Sequence, residues 1–226
     1  MKQLLFIPLL FLLACSSTNG KYTKENFGAE DAPNVYTVQR GDTLQAIAWR
    51  FGLDANTIQH KNGIANPNKI FVGQKLRLKN YASKNWKKPS SSSYQEPTKR
   101  IANWVWPMRG KVINHFNRGH IGANGIRIAG KPNQSVNAAE SGVVAYQGNG
   151  LNGYGNIIII KHKSGLLSAY GFLSKTFVKK GQKVKKRQKI GVVGYAANRK
   201  LILHFEVRRN GKPVNPKYYI GDSYNF

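Results

Sequence analysis

Residues 201–207, LILHFEV, carry a histidine and a carboxylate at a spacing that suits a chemical site. The segment alternates as a β-strand does, so Ile202, His204 and Glu206 lie on one face. Imidazole and carboxylate groups are common zinc ligands, and a catalytic zinc normally has three protein ligands and a water molecule. The isoleucine beside the pair cannot bind a metal. The strand therefore predicts a metal-type site that lacks one of its ligands.

The charge balance limits the partners of the chain. Its 226 residues include 36 Lys and Arg against 9 Asp and Glu, which gives a formal net charge of +27. Such a charge predicts an anionic partner, namely nucleic acid, an anionic membrane or a cell-wall polymer. The only cysteine is Cys15, which excludes an intramolecular disulfide and a metal site built from several thiolates.

The N-terminus indicates export. Residues 1–14 hold one lysine and an apolar run that is too short to span a bilayer and is typical of a signal peptide. Residues 12–15, LLAC, resemble a bacterial lipobox, which implies cleavage before Cys15 and a lipid on its sulfur that anchors the chain to a membrane. An uncleaved anchor or an ordinary secretory signal is the alternative. Export argues against nucleic acid as the natural partner.

Composition divides the rest of the chain into two units. Residues 15–34 are small and polar and predict a tether, and residues 80–103, rich in Ser, Lys and Pro, predict a linker. Between them, residues 35–79 show the order β-α-α-β. The core-facing positions of the first helix are Leu44, Ile47, Ala48 and Phe51.

Residues 104–226 alternate without any long helical period and predict an all-β domain. The predicted strands lie within residues 110–116, 141–147, 155–162, 166–173, 189–195 and 201–208. The expected fold is therefore a small α+β domain followed by an antiparallel sheet domain.

The first unit resembles a LysM domain in YTVQRGDTL, in the helix end IAWRFG, at Asn62 and in the closing IFVGQKLRL. The resemblance covers the whole unit and implies binding to the N-acetylglucosamine-containing glycan of peptidoglycan, in a groove between two loops. The glycan-binding residues that it implies are Gly41, Asp42, Thr43 and Leu44 of one loop and Ile64, Asn66, Pro67 and Ile70 of the other. A purely structural alternative, in which Asp42 and Thr43 cap the helix, stays open.

The second unit resembles the LytM-type peptidases of family M23 over essentially its whole length. The matching segments include WPMRGKVINHF, GIRIA, AYGFLS and LHFEVRRNGKPVNPKYY. An active member carries His-x-Gly-x-Asp on one strand, His-x-His on another and a further histidine in Tyr-x-His-Leu, and these residues hold zinc and assist a bound water. The corresponding positions here hold Ala123, Arg127, Ile202 and Phe172, and only His204 is retained.

These substitutions predict that the second unit binds no zinc, needs no cofactor and is not an enzyme. Arg127 would place a fixed cation where the metal should sit, and like charges repel strongly at such distances. One alternative is a shifted zinc site made of His115, His120 and His204. It would require a slip in strand register, and an odd slip also turns side chains to the wrong face.

A groove without metal is suited to binding a helix or peptide of another protein. Ala123, Phe172 and Ile202 make it more apolar than a zinc cleft, and Arg127 adds a polar group. The residues expected to contact a partner are Ala123, Arg127, Phe172, Ile202, His204 and Glu206. Two structural alternatives stay open, in which Phe172 and Ile202 only pack the strands and Arg127 forms an ion pair with Glu206.

Residues 178–189, VKKGQKVKKRQK, concentrate positive charge in one segment. The segment has no interleaved aromatic side chains and therefore lacks a stacking platform for single-stranded nucleic acid. It predicts either a solvated hairpin or a surface attracted to anionic wall or membrane polymers.

A lipobox, a LysM domain and a LytM domain without zinc ligands together resemble the NlpD-type amidase activators. The resemblance implies a lipoprotein that holds peptidoglycan and switches on a periplasmic zinc-dependent N-acetylmuramoyl-L-alanine amidase during cell separation. Ser16, directly after the predicted lipidated cysteine, suggests sorting to the outer membrane, facing the periplasm. Two other functions stay open, namely a zinc endopeptidase that cleaves peptidoglycan cross-links and a passive tether between envelope and wall.

Overall fold

The computed structural model describes residues 32–79, 103–117 and 124–221. We call residues 32–79 the N-terminal unit and the other two ranges the C-terminal unit. Outside the described residues lie the predicted signal peptide, most of the predicted tether and linker, and Cys15, His120 and Ala123. Among the described residues, no helix is both long and apolar enough to cross a bilayer.

The N-terminal unit folds in the predicted β-α-α-β order. Its elements are β1 (Val35–Thr37), α1 (Leu44–Arg50), α2 (Ala55–Lys61) and β2 (Lys75–Arg77). The two strands pair antiparallel, with Val35 opposite Arg77. This short sheet joins the two ends of the unit.

Helix α1 begins at a cap and carries two apolar faces. The Thr43 hydroxyl accepts a hydrogen bond from the Ala46 N–H at 2.9 Å, which satisfies one of the free donors of the first turn. The predicted apolar face, made of Leu44, Ile47, Ala48 and Phe51, packs into the core of the N-terminal unit. The second face, Ala46 and Trp49, is also buried but packs against the C-terminal unit. Only the first of these two faces was predicted from the sequence.

Polar side chains fix both ends of α2. Asp54 Oδ1 accepts a hydrogen bond from the Thr57 N–H at 2.8 Å and caps the helix. The side chain of Asn62 donates to the Ile58 carbonyl at 2.8 Å and accepts from the Arg77 N–H at 2.8 Å. The asparagine that matches the LysM pattern therefore ties the end of α2 to β2.

The C-terminal unit is an antiparallel sheet of ten described strands. The predicted strands correspond to β3 (Val112–Asn114), β6 (Gly142–Gly148), β7 (Asn156–His162), β8 (Leu167–Thr176), β10 (Lys189–Tyr195) and β11 (Leu201–Arg209). The elements that were not predicted as such are β4 (Ile126–Ala129), β5 (Ser135–Asn137), β9 (Lys183–Val184), β12 (Lys212–Val214) and the helix α3 (Lys217–Ile220). The expected fold class, an α+β unit followed by an antiparallel sheet unit, is confirmed.

Strand β11 positions the candidate site because it pairs with β4, β8 and β10. One of its faces, with Leu203, Phe205 and Val207, enters the main hydrophobic core. The register with β4 places Arg127 directly opposite His204. The opposite face of β11 therefore carries the candidate site, and Arg127 lies on the same face as His204.

A tight hairpin joins β11 to β12. Asn210 and Gly211 have φ angles of 48° and 78°, as a two-residue type I′ turn requires. A Cβ atom placed on Gly211 would lie 2.4 Å from the backbone of Leu53 in the N-terminal unit. Glycine at this position therefore serves both the turn and a close contact between the two units.

Four turns share one construction. In each, the backbone N–H of a glutamine bonds to the carbonyl three residues earlier, and the glutamine side-chain oxygen accepts a hydrogen bond from the N–H of that earlier residue. The third residue has a positive φ angle, as in type II turns. The turns are residues 71–74 (FVGQ), 131–134 (KPNQ), 179–182 (KKGQ) and 185–188 (KKRQ). The Lys-rich segment thus consists of two such turns on either side of β9.

Candidate functional site

One face of β11 carries a buried row of polar side chains. His204 and Glu206 share this face with Ile202, as predicted, and Arg208 extends the row by one position. The exposed fractions of Ile202, His204, Glu206 and Arg208 are 2%, 5%, 0% and 4%. Arg208 was not predicted as a site residue, although the same alternation places it on this face. Ionisable groups that are buried to this extent need partners within the protein.

Glu206 is the central acceptor of the row. Arg208 Nε donates to Glu206 Oε1 at 2.6 Å, while Oε2 accepts from the Tyr154 hydroxyl at 2.9 Å and from His204 Nε2 at 3.1 Å. Burial alone would raise the pKa of Glu206, but the Arg208 charge and the His204 contact outweigh it and lower that pKa. Glu206 is therefore ionised at neutral pH, with both carboxylate oxygens engaged.

Arg208 connects this row to the N-terminal unit. Its Nη1 donates to the Trp49 carbonyl at 2.6 Å, and its guanidinium carbon lies 3.8 Å from the centre of the Trp49 ring. Burial, reinforced by the Glu206 charge, raises the pKa of Tyr154. The Tyr154 hydroxyl therefore stays protonated and donates a hydrogen bond to Glu206. Neither Trp49 nor Tyr154 was predicted. The signal for Trp49 was its place on the second apolar face of α1.

Arg127 and Phe172 form the half-buried edge of the site. The Arg127 guanidinium carbon lies 5.8 Å from the centre of the Phe172 ring, and the centres of the Phe172 and His204 rings are 6.3 Å apart, edge to face. Phe172 has a φ angle of 60°, which is rare for an aromatic residue. The alternative ion pair between Arg127 and Glu206 is wrong, because Glu206 pairs with Arg208.

Two buried polar atoms at this edge, Arg127 Nε and His204 Nδ1, have no hydrogen-bond partner among the described residues. Arg127 Nε is a donor. In the tautomer that donates from Nε2 to Glu206, His204 Nδ1 is an acceptor. Leaving such groups unpaired in the interior is costly. Both atoms are covered in this conformation, so a group that offers a donor and an acceptor, such as a peptide or carboxamide group, can bond to them only after the side chains over them move.

The M23 resemblance implies zinc, and the described residues do not fit it. Arg127, Phe172 and Ile202 occupy expected ligand or catalytic positions, and none of them can bind the metal. No three His, Cys, Asp or Glu side chains come together within the described ranges. Glu206 is no substitute, because both of its oxygens are engaged within the protein. His115 of the alternative shifted site is exposed near the end of β3.

The predicted glycan loops of the N-terminal unit contain buried and exposed residues. Thr43, Leu44 and Ile64 are buried, so these side chains serve the helix cap and the core. The residues that reach the surface are Gly41 and Asn66, which are exposed, and Pro67 and Ile70, which are half-buried. Asp42 is half-buried as a residue, but its side chain is only 6% exposed. Phe71 and Val72, which were not predicted, lie beyond these loops at the tip of the 71–74 turn and are 70% and 69% exposed.

Asp42 braces its loop through three donors. It accepts hydrogen bonds from the Tyr36 hydroxyl at 2.6 Å, the Gln39 N–H at 2.9 Å and Arg50 Nη2 at 3.3 Å. Burial, together with the bond to Asp42, raises the pKa of Tyr36 to about 12, so this hydroxyl stays protonated. Thr43 caps α1 as the structural alternative predicted, whereas Asp42 does not. A role of these residues in glycan binding stays a prediction.

Two family models match the sequence. The LysM domain matches residues 36–79, and Peptidase family M23 matches residues 122–216. Both models agree with the folds of the two units described above.

Named relatives extend over both units. Lipoprotein NlpD/LppB homolog of Pseudomonas aeruginosa is 36% identical, over 82% of this chain and 76% of the relative. Uncharacterized lipoprotein YgeR of Escherichia coli is 33% identical, over 93% of this chain and 88% of the relative. Murein hydrolase activator NlpD of Escherichia coli is 32% identical, over 83% of this chain and 68% of the relative. This chain therefore belongs to the NlpD-type family of murein hydrolase activators, which are lipoproteins of the cell envelope.

Proposed function

We propose that this chain is a non-catalytic lipoprotein that binds peptidoglycan through its N-terminal unit and activates a zinc-dependent N-acetylmuramoyl-L-alanine amidase through its C-terminal unit. The observation that carries the proposal is a peptidase-like sheet in which Arg127, Phe172 and Ile202 stand where the resemblance expects zinc ligands or catalytic residues. The name of the Escherichia coli relative, a murein hydrolase activator, supports the same function. A lipid anchor on Cys15 in the outer membrane, facing the periplasm, is part of the proposal.

The edge formed by Arg127 and Phe172 supplies the contacts that an amidase segment would use. Phe172 offers a half-buried aromatic surface and Arg127 a half-buried guanidinium group beside it. Arg127 Nε and His204 Nδ1, which are covered in this conformation, become available as a donor and an acceptor when this edge opens. A segment that binds there stabilises whichever amidase conformation presents it. The activation can be no larger than the preference of the groove for that conformation.

The surface of the N-terminal unit fits a glycan strand. Gly41 and Asn66 are exposed on the two predicted loops, and Phe71 and Val72 add an exposed apolar rim beside them. Sugars bind through polar groups and apolar ring faces together, and this combination is present here. The proposed role is to hold the activator on the wall.

Release of dye from labelled sacculi tests the function. The purified chain is added alone, with zinc, and with each N-acetylmuramoyl-L-alanine amidase of its own bacterium. We expect no release by the chain alone and, with one amidase, release above the level of that amidase. Arg127→Glu and Phe172→Ala should weaken the stimulation, whereas Lys131→Glu, a charge reversal in the exposed 131–134 turn, should not.

Two other results would replace the proposal. Release by the chain alone, abolished by a chelator, would make it a zinc endopeptidase. Binding to sacculi without any effect on the amidases would make it a passive tether.

A further inference from the structure

We propose that the N-terminal unit is an internal antagonist of the groove. Helix α1 docks on the sheet face that carries the groove residues, and it must leave before a partner segment can occupy the whole face. The inference rests on the proposed function, since it concerns access to the same site.

The second apolar face of α1 makes the central contact. Ala46 and Trp49 are 0% and 2% exposed, and the centre of the Trp49 ring lies 6.3 Å from that of Tyr154, edge to face. We call the apolar surface that receives them the docking patch. It consists of Tyr146, Leu151, Tyr154, Ile157, Ile159 and Ala169.

The docking patch is continuous with the polar row of β11. Ala169 of β8 is directly opposite Glu206, and Ile159 of β7 is directly opposite Ala169. Residues paired across neighbouring strands lie on the same face of a sheet. The docked helix therefore covers one end of the face on which His204 and Arg127 lie.

Arg208 holds the helix at the boundary between patch and groove. It donates to the Trp49 carbonyl, covers the Trp49 ring and is paired with Glu206, and all three residues are buried. An aromatic side chain held by an arginine within a dry contact is typical of the residues that dominate interface affinity.

Two further contacts join the units. Arg50 Nη2 donates to the Gly150 carbonyl at 3.2 Å, and the same nitrogen lies 3.3 Å from Asp42 of the predicted glycan loop. The backbone of Leu53 lies against Gly211, where a Cβ would approach to 2.4 Å. The contact thus extends from the end of α1 to the β11–β12 hairpin.

Undocking does not require the N-terminal unit to unfold. Its own core contains Leu44, Ile47 and Phe51, whereas Ala46 and Trp49 belong only to the contact with the C-terminal unit. The docked and undocked states therefore differ only in the contact between the two units, and the core of the N-terminal unit is the same in both. A partner with affinity for the uncovered face shifts the balance toward the undocked state.

The test uses two variants that weaken docking and two matched controls. Trp49→Ala removes the central ring, and Phe177→Ala removes a half-exposed ring from the C-terminal unit. Gly211→Ala adds a methyl group that meets the Leu53 backbone, at a φ angle of 78°. Gly165→Ala adds the same group at a φ angle of 79°, with nothing within 4 Å. Gly211→Ala and Gly165→Ala introduce similar backbone strain, but only Gly211→Ala disturbs the contact between the units. Comparing them therefore separates loss of docking from backbone strain.

Amide hydrogen exchange of the purified chain reports docking directly. We expect exchange in residues 151–154 and in α1 to be at least about tenfold faster in Trp49→Ala and Gly211→Ala than in the parent chain and the controls. Equal exchange in the parent chain and both docking variants would overturn the inference.

Amidase stimulation on dye-labelled sacculi reports access to the groove. If the docked state exceeds the undocked one by about ten to one, opening it lowers the half-maximal concentration of activator about tenfold. We expect this shift for the two docking variants and not for the controls. An unchanged concentration in variants with fast exchange would overturn the inference and leave the proposed function standing. Failure of every chain, parent and variants, to stimulate any amidase would refute both.

Discussion

Replacing Arg208 by alanine is expected to destabilise the C-terminal unit by about 3–5 kcal/mol. The substitution leaves Glu206 charged, fully buried and without its cation. Removing one partner of a buried ion pair costs this amount because the remaining charge has neither water nor a counterion. The loss of the bond to the Trp49 carbonyl adds to the effect.

A double variant distinguishes the stranded charge from simple loss of packing. Arg208→Met combined with Glu206→Leu removes both charges and keeps apolar bulk, a change that is often tolerated. Tyr154 and His204 then lose their shared acceptor and the Trp49 carbonyl loses its donor, at about 1 kcal/mol for each bond. We therefore expect the double variant to lose about 3 kcal/mol, less than the single variant, which loses the Trp49 bond in addition to leaving a buried charge unpaired.

The loss of stability caused by Arg208→Ala should depend on pH. The pKa of Glu206 is lowered in the folded chain, mainly by Arg208 acting against the opposite effect of burial. A lowered carboxylate pKa stabilises the fold above its unfolded value, about 4.3, and the stabilisation is lost as pH falls through the lowered folded value. The deficit of Arg208→Ala is thus expected in full at pH 7 and should shrink in acid.

Urea unfolding followed by circular dichroism measures these differences. Lys212→Ala, at an exposed position of the neighbouring strand β12, is the control and should change the free energy of unfolding by at most about 0.5 kcal/mol. If Arg208→Ala resembled Lys212→Ala, or if the double variant were less stable than the single one, the central role given to the Glu206 network would be incorrect.

Three further substitutions or additions have defined outcomes. Asn62→Ala, which removes the link between α2 and β2, should lower the free energy of unfolding of the N-terminal unit by about 1–3 kcal/mol in thermal melts. Asn56→Ala, at an exposed position of α2, should not. Burial lowers the pKa of His162, so its contribution to stability is present above about pH 6.5 and is lost as pH falls toward the lowered folded value. His162→Gln should therefore flatten the dependence of melting temperature on pH between 7.5 and 5, and an unaltered slope would contradict this. Zinc or a chelator should leave the melting temperature of the parent chain unchanged, and a rise with equimolar zinc would indicate a metal site.

Alternation and helical spacing predicted the main elements because these patterns need only local sequence. The strand at residues 201–208 and the first helix with Leu44 and Ile47 in its core were both predicted and are present. Strands of two to four residues, such as β9 (Lys183–Val184) and β4 (Ile126–Ala129), are too short to show a period. They form because the longer strands beside them offer free backbone groups.

The partners within the site could not be predicted, because they depend on strand register. The sequence allowed an ion pair between Glu206 and Arg127. The strand register instead places Arg127 opposite His204, and Glu206 forms its ion pair with Arg208, two residues further along β11. The contact of Trp49 was missed for a different reason. Helix α1 has seven residues and two apolar faces. The pattern within residues 35–79 accounts for the face that packs in the N-terminal unit, whereas the face with Trp49 is explained only by its contact with the C-terminal unit.

The four glutamine-closed turns separate the surface charge of the chain from its stability. Each turn is held by its backbone and by the side chain of its last residue, so the turn itself does not need the side chains at its first two positions. Lys186 is the exception among them, because it contacts Glu140 and the Asn103 carbonyl. Lys179, Lys180 and Lys185 occupy such positions in the Lys-rich segment. Their charges can be neutralised, reversed or chemically labelled at little cost to folding. This lets the electrostatic potential of that surface be adjusted to the polymers around the chain, and it provides attachment points for probes that leave the groove undisturbed.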